Sequence, residues 1–149
     1  MSEFRFYHLQ RKSLEAALPE LLTKILERGQ RVVVLAGSAE RVEALNSHLW
    51  TFDPASFLPH GSASDGAAAE QPIWLTTVEE NPNQATVLVA TDGVTVEQPD
   101  AFPICCDLFD GNDDEAVMAA RDRWKRYKAQ GHGLSYWQQG ARGGWQKKP

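Results

Sequence analysis

Cysteine is scarce: two residues in a chain of 149, Cys105 and Cys106, side by side in an apolar run. Adjacent cysteines have neither the spacing nor the histidine company of a zinc site, and one pair cannot build a disulfide framework. No metal and no disulfide scaffold are therefore expected, and a reducing cytoplasm is the expected setting. Long apolar runs are missing as well. Nothing approaches the roughly 20 residues of a membrane-spanning helix, and no basic-then-apolar leader opens the chain, so no membrane partner is expected. Nucleotide signatures are absent too. No Lys-Ser or Lys-Thr follows a glycine run, as a P-loop needs, and the GxGxxG spacing does not occur. Basic residues are rare over most of the length. Met1 to Ala120 holds seven Lys or Arg against nineteen Asp or Glu, whereas Arg121 to Pro149 holds eight against one. The net charge of -5 hides that polarity, which bears on partners rather than on fold. An acidic body is a poor platform for a phosphate backbone; a compact acidic ligand suits one basic patch better.

What is present fits one domain with a real core. Arg5 to Leu9 reads as a first strand, followed by a helix through Leu14, Leu18, Leu22 and Ile25 that stops near Gly29. Pro19 sits awkwardly inside that helix. Arg31 to Ala36 is apolar without alternation, as in a strand buried on both faces. Gly37-Ser38 leads into a helix over Ala39 to Trp50, with Ser38 as its cap. Thr51 to His60 holds too many prolines for a long element, and Gly61 to Gln71 reads as flexible. Ile73 to Thr76, Ala85 to Ala90 and Pro103 to Phe109 read as further strands. Strand-turn-helix order of this kind predicts an α/β fold, a mostly parallel sheet with helices on both faces. The domain spans 1–139, and 140–149 reads as a flexible basic C-terminal tail, with Tyr136 and Trp137 as anchors before it.

The most informative stretch is Asn112 to Gln130, an amphipathic helix. Asn112 and Glu115 fit a capping box. Val117, Ala120, Trp124 and Tyr127 make its buried face, and Arg121, Lys125 and Lys128 form a basic stripe beside it. Asp122 is spaced to pair with Arg126. If Phe109, just before the helix, and the edge of Trp124 line a hollow, Arg121 and Lys125 stand at its rim. That set suits an apolar side chain carrying a carboxylate, as at a peptide C-terminus. A second patch joins Trp50, Phe57, Leu58 and Pro59, aromatic and apolar residues of the kind that mark interfaces.

Catalytic constellations are weak. Ser38, His60 and Asp92 form a triad only if drawn from three separate loops, and no GxSxG elbow surrounds Ser38. Asp92 and Asp107 could pair on a metal, but acids at strand ends are common in this architecture. The remaining histidines, His8, His48 and His132, need no chemical role.

Four stretches together resemble a known family: FYHL (Phe6 to Leu9), LERGQRVVVLA (Leu26 to Ala36), LNSHLWTFDPASFLPH (Leu45 to His60) and ARDRWKRYKAQG (Ala120 to Gly131). In this order they are similar to the chi subunit of bacterial DNA polymerase III holoenzyme. The resemblance implies a Rossmann-like domain without nucleotide chemistry or cofactor. It implies an accessory, non-enzymatic part of the clamp-loader assembly that supports DNA replication. Such a subunit binds the acidic C-terminal tail of single-stranded DNA-binding protein and touches DNA mostly indirectly. Carried over by position, the tail site falls on Phe109, Arg121, Trp124 and Lys125. Trp50, Phe57 and Pro59, with Leu58 between them, fall on the surface for a psi subunit or another clamp-loader or helicase partner. The ending GARGGWQKKP is longer than is usual for the family. Two other classes stay open on the residues alone. One is a small-molecule-binding α/β enzyme with a polar strand-end crevice. The other is a direct single-stranded DNA-binding protein using Trp137 and Trp145 as stacking platforms.

Overall fold

A computed structural model describes residues 2–51, 58–63, 65–139 and 145–148. The elements run β1 (Glu3–Leu9), α1 (Leu14–Glu27), β2 (Val32–Leu35), α2 (Ala39–Thr51), β3 (His60–Ser62), β4 (Ile73–Thr76), β5 (Val87–Ala90), β6 (Ile104–Asp110), α3 (Asp114–Ala129), β7 (Gly133–Gln139) and β8 (Trp145–Lys148). The strands form one sheet in the order β3-β4-β2-β5-β6-β1-β7-β8. Every pairing is parallel except β7 with β8. The α/β architecture expected from the sequence is present, with helices on both faces.

Side chains alternate between the faces along each strand, because the strand repeat is two residues. Tyr7, Leu9, Val32, Val34, Cys106 and Leu108 point toward α1 and α2. Phe4, Phe6, Val33, Leu35, Cys105 and Phe109 point toward α3. The central strands are apolar on both sides for this reason, and their sequences show no alternation.

Pro19 lies inside α1 without ending it. Its missing N–H leaves the carbonyl of Glu15, one turn back, without a helical donor. His48 Nε2 of α2 meets that oxygen at 2.5 Å, so the defect becomes a clamp between the two helices. Ser13 caps α1 by accepting from the Ala16 N–H, and Ser38 does the same for α2 at the Arg41 N–H.

Several expectations are corrected. The cap of α3 is Asp113, which accepts from the Glu115 and Ala116 N–H groups; Asn112 instead donates through Nδ2 to the carbonyl of Gln10. Three capping residues stand in a row there; Asp113 has the extended backbone of a cap, φ -109° and ψ 112°, while Asp114 already lies inside the helix. Asp122 does not take Arg126, which reaches Glu97 at 2.5 Å. The segment that reads as flexible, Gly61 to Gln71, includes two of the three residues of β3 and a 3-10 turn at Ala68–Glu70. Its backbone is held by Asp65, whose carboxylate accepts from Ser62 N and Asn46 Nδ2. Four residues of the expected loose tail, Trp145–Lys148, form β8 against β7. Trp145 secures them by packing on the α1–α2 side of the sheet and meeting Tyr7 edge to face at 4.9 Å.

Candidate functional site

Two hollows flank α3. The first is a cleft of about 790 Å³ at the carboxyl ends of the strands, where open α/β sheets usually bind ligands. It is open, not filled by side chains, but its polar groups already serve one another. Arg41 Nε reaches Asp92 at 3.1 Å, and its guanidinium also faces Glu15. Asp92 accepts as well from the Gly37 N–H and the Thr91 hydroxyl. Gly37 lets that turn pass close to Asp92, whose Cβ would stand 3.0 Å from a Cβ at position 37 and would have to give way. Arg123 and Asp107, both nearly inaccessible, form a two-pronged pair with N···O distances of 2.7 and 3.0 Å. The successive N–H groups of Gln10, Arg11 and Lys12 after β1 would cradle an anion in a nucleotide-binding fold. Here all three donate to the side-chain oxygen of Gln139. Among the described residues, the polar groups named in that cleft are engaged with one another rather than left free for a substrate.

The catalytic combinations weighed from sequence do not assemble. Ser38 caps α2, Asp92 is engaged as above, and both ring nitrogens of buried His60 face carbonyl oxygens, of Leu58 and Asn46. Among the described residues, no group of three or more His, Cys, Asp or Glu could hold a metal ion.

The second hollow, about 700 Å³, differs in kind. It lies between α3 and the β7–β8 edge of the sheet, and all four residues singled out for a peptide tail, Phe109, Arg121, Trp124 and Lys125, line it. The floor is aromatic: Phe6 meets Trp124 edge-on at 5.3 Å and Phe109 at 6.4 Å, and His8 tilts against Phe109 at 5.0 Å. Close passage of β1 to the β6–α3 turn needs Gly111, since a Cβ there would collide with the His8 ring and the Leu9 carbonyl. Tyr136 hydrogen-bonds His8 Nδ1 and accepts from Gln138 Nε2, which fixes the β7 wall. Tyr127 stacks on Phe4 at 3.8 Å and accepts from the Val96 N–H, locking α3 to the sheet behind the groove. Burial pushes the Tyr127 phenol up to about 12, so it stays a neutral hydrogen-bonding group.

The charge of this groove is one-sided. Arg121, Lys125, Lys147 and Lys148 line it, and among the described residues no Asp or Glu does. Among the described residues none of these four cations forms a salt bridge, in contrast to Arg41, Arg123 and Arg126. Sequence reasoning missed Phe6, His8 and Tyr136 as lining residues. The first two were legible in the alternation of β1, where Phe4, Phe6 and His8 share one face.

The second predicted patch is only partly assembled. Trp50 is 49 % exposed at the end of α2, its ring against His60, and Pro59 is half-buried. Leu58 is 4 % exposed and belongs to the apolar core on the α1–α2 side of the sheet, so it is removed from the contact set. Phe57 lies outside the described residues. Trp137 and Trp145, weighed as platforms for DNA bases, pack instead against the core around Tyr7.

A family model described as DNA polymerase III chi subunit, HolC, matches residues 1–135. The chain is 37% identical to a probable DNA polymerase III subunit chi of Rickettsia prowazekii over 89 residues, which cover 60% of this chain and 54% of that protein. It is 31% identical to the DNA polymerase III subunit chi of Pseudomonas aeruginosa over 117 residues, 76% of this chain and 78% of the other. With the protein of the same name from Escherichia coli it shares 23% identity over 124 residues, 83% and 84% of the two lengths.

Proposed function

Since the chain belongs to the DNA polymerase III chi subunit family, we propose that it is a non-catalytic accessory subunit linking the clamp-loader assembly to single-stranded DNA-binding protein. The link is capture of that protein's acidic C-terminal tail in the groove beside α3. The observation that carries this reading is an aromatic hollow rimmed by cations that, among the described residues, form no salt bridge and meet no carboxylate in its lining. An apolar terminal residue enters beside Phe6, Phe109 and Trp124, and the terminal carboxylate and preceding acids meet Arg121 and Lys125. Burial of apolar area supplies most of the affinity, at about 25 cal/mol per Å². The charges steer the encounter and orient the chain. Uneven charge over the molecule assists, because the acidic body repels the same peptide everywhere else.

Titration calorimetry with an acidic peptide ending in an aromatic residue tests this reading at two ionic strengths. Lys125→Glu is expected to weaken binding by roughly 1–3 kcal/mol, part of which salt screens away. Removing the terminal aromatic residue should cost affinity at both ionic strengths. If both changes leave affinity where it was, the tail site is not in this groove.

A second surface carries the attachment to the assembly. Trp50 and Pro59, with Phe57 from the segment outside the described residues, form the site for a psi subunit or another clamp-loader or helicase partner. The half-exposed indole at the end of α2 supports it.

A further inference from the structure

The family match ends at residue 135, but the wall of the groove continues past it. β8 pairs antiparallel with β7, placing Lys148 opposite Tyr136 and Lys147 opposite Trp137. Residues opposite one another in an antiparallel pair share a face, so Lys148 stands on the side of Tyr136, which is the groove side. Lys147, opposite Trp137, belongs by the same rule to the other face and borders the groove only at the strand's edge. Edge strands often carry lysine simply to discourage pairing with another sheet, and that is sufficient for the exposed Lys147. It does not account for Lys148, half-buried beside an apolar hollow whose opposite wall already carries Arg121 and Lys125. Like charges gathered around one hollow, without a carboxylate among them, repel each other until an anion enters. The strand that brings the lysines there is held in place by Trp145 on the other face.

We propose that β8 is a second reading wall of the tail site. Lys148 contacts acidic side chains upstream of the peptide's end, with Lys147 at the strand's edge adding to the field there, while Arg121 and Lys125 serve the end itself. The preferred ligand is then a run of acidic residues leading into an apolar terminus, gripped from both sides, rather than any C-terminal carboxylate on an apolar residue. This inference rests on the acidic-tail reading of the groove.

The test uses the full chain and two fluorescent peptides with the same aromatic C-terminus. One has a run of aspartates before it, and the other has asparagines in their place. Lys147→Gln with Lys148→Gln should weaken the aspartate peptide by about 5–20-fold at low salt. The same double variant should reduce the salt dependence of binding and leave the asparagine peptide's affinity unchanged. Lys147→Arg with Lys148→Arg should keep the parent affinity for both peptides. The proposal is overturned if the double glutamine variant holds the aspartate peptide as tightly as the parent. It is equally overturned if that variant loses both peptides alike, since β8 would then shape the groove without reading charge. Failure of the parent itself to bind the aspartate peptide would instead refute the tail reading on which this one stands.

Discussion

Arg123 interrupts the basic side of α3 by turning inward, and its neighbours in sequence show why this was hard to read. Arg121, Lys125 and Lys128 are exposed, whereas Arg123 is 5 % exposed and spends its charge on Asp107. Burial raises the Asp107 carboxyl pKa, and the guanidinium works against that shift. Just before it on the same strand, the two thiols are buried too, and for Cys106 burial outweighs the opposing pull of Arg5 and Tyr7. Burial pushes Cys106 up to about 12 and takes Cys105 well above the ordinary thiol range. Because the folded pKa lies above the unfolded one, this contribution to stability is complete below about pH 9 and is lost as pH rises toward about 12. Native protein should therefore leave a thiol reagent unreacted at about pH 8, near the pKa of a free cysteine, and react only after denaturant unfolds it. Labelling of the native protein as fast as of a free thiol would show that the sheet opens there or that the thiols are not buried.

At the scale of elements, legibility followed apolar content. β2, β4, β5 and β6 were visible because each fills a central strand with side chains buried on both faces. β3 and β8 were not, since HGS and WQKK have too few apolar residues to signal a strand; pairing with a neighbour supplies what their composition lacks. β7 does not read as a strand because glycines flank it; only Tyr136 and Trp137 stand out in it, as anchors. The groove was legible in part: the four residues named from the sequence line it, whereas the β8 lysines count in the charge but read as a loose end. β7 also closes the loop after β1, where Gln139 accepts from three successive N–H groups. Gln139→Ala leaves those donors without their protein acceptor and should cost about 1–3 kcal/mol. Gln139→Glu keeps an acceptor and should cost less. Urea unfolding of both variants checks the order; an alanine variant as stable as the parent would mean that water satisfies the loop equally well.

For the molecule as a whole, the two proposed surfaces belong to opposite ends of one sheet. Trp50 and Pro59 flank β3, one edge strand, and the groove ends on β8, the other. Neighbouring strands lie about 4.8 Å apart, so eight of them separate the two surfaces by on the order of 30 Å. The strands between are tightly packed on both faces, and no lining residue of the groove belongs to α2, β3 or β4. Sites that far apart with no shared residue contribute independently unless a two-state element joins them. The expected behaviour is that of a rigid connector: Trp50→Ala should abolish co-purification with a polymerase III partner subunit while leaving acidic-peptide affinity unchanged. Lys125→Glu should do the reverse. Thermal stability should move little in either case, because Trp50 is half-exposed and Lys125 is a surface residue. Calorimetry of the acidic peptide against the free chain and against the chain bound to its partner measures the coupling directly. Equal affinities within about twofold would establish the connector, since that ratio corresponds to about 0.4 kcal/mol of coupling. A tenfold difference would mean that the sheet transmits between its edges, and one partner's arrival would then control the other's.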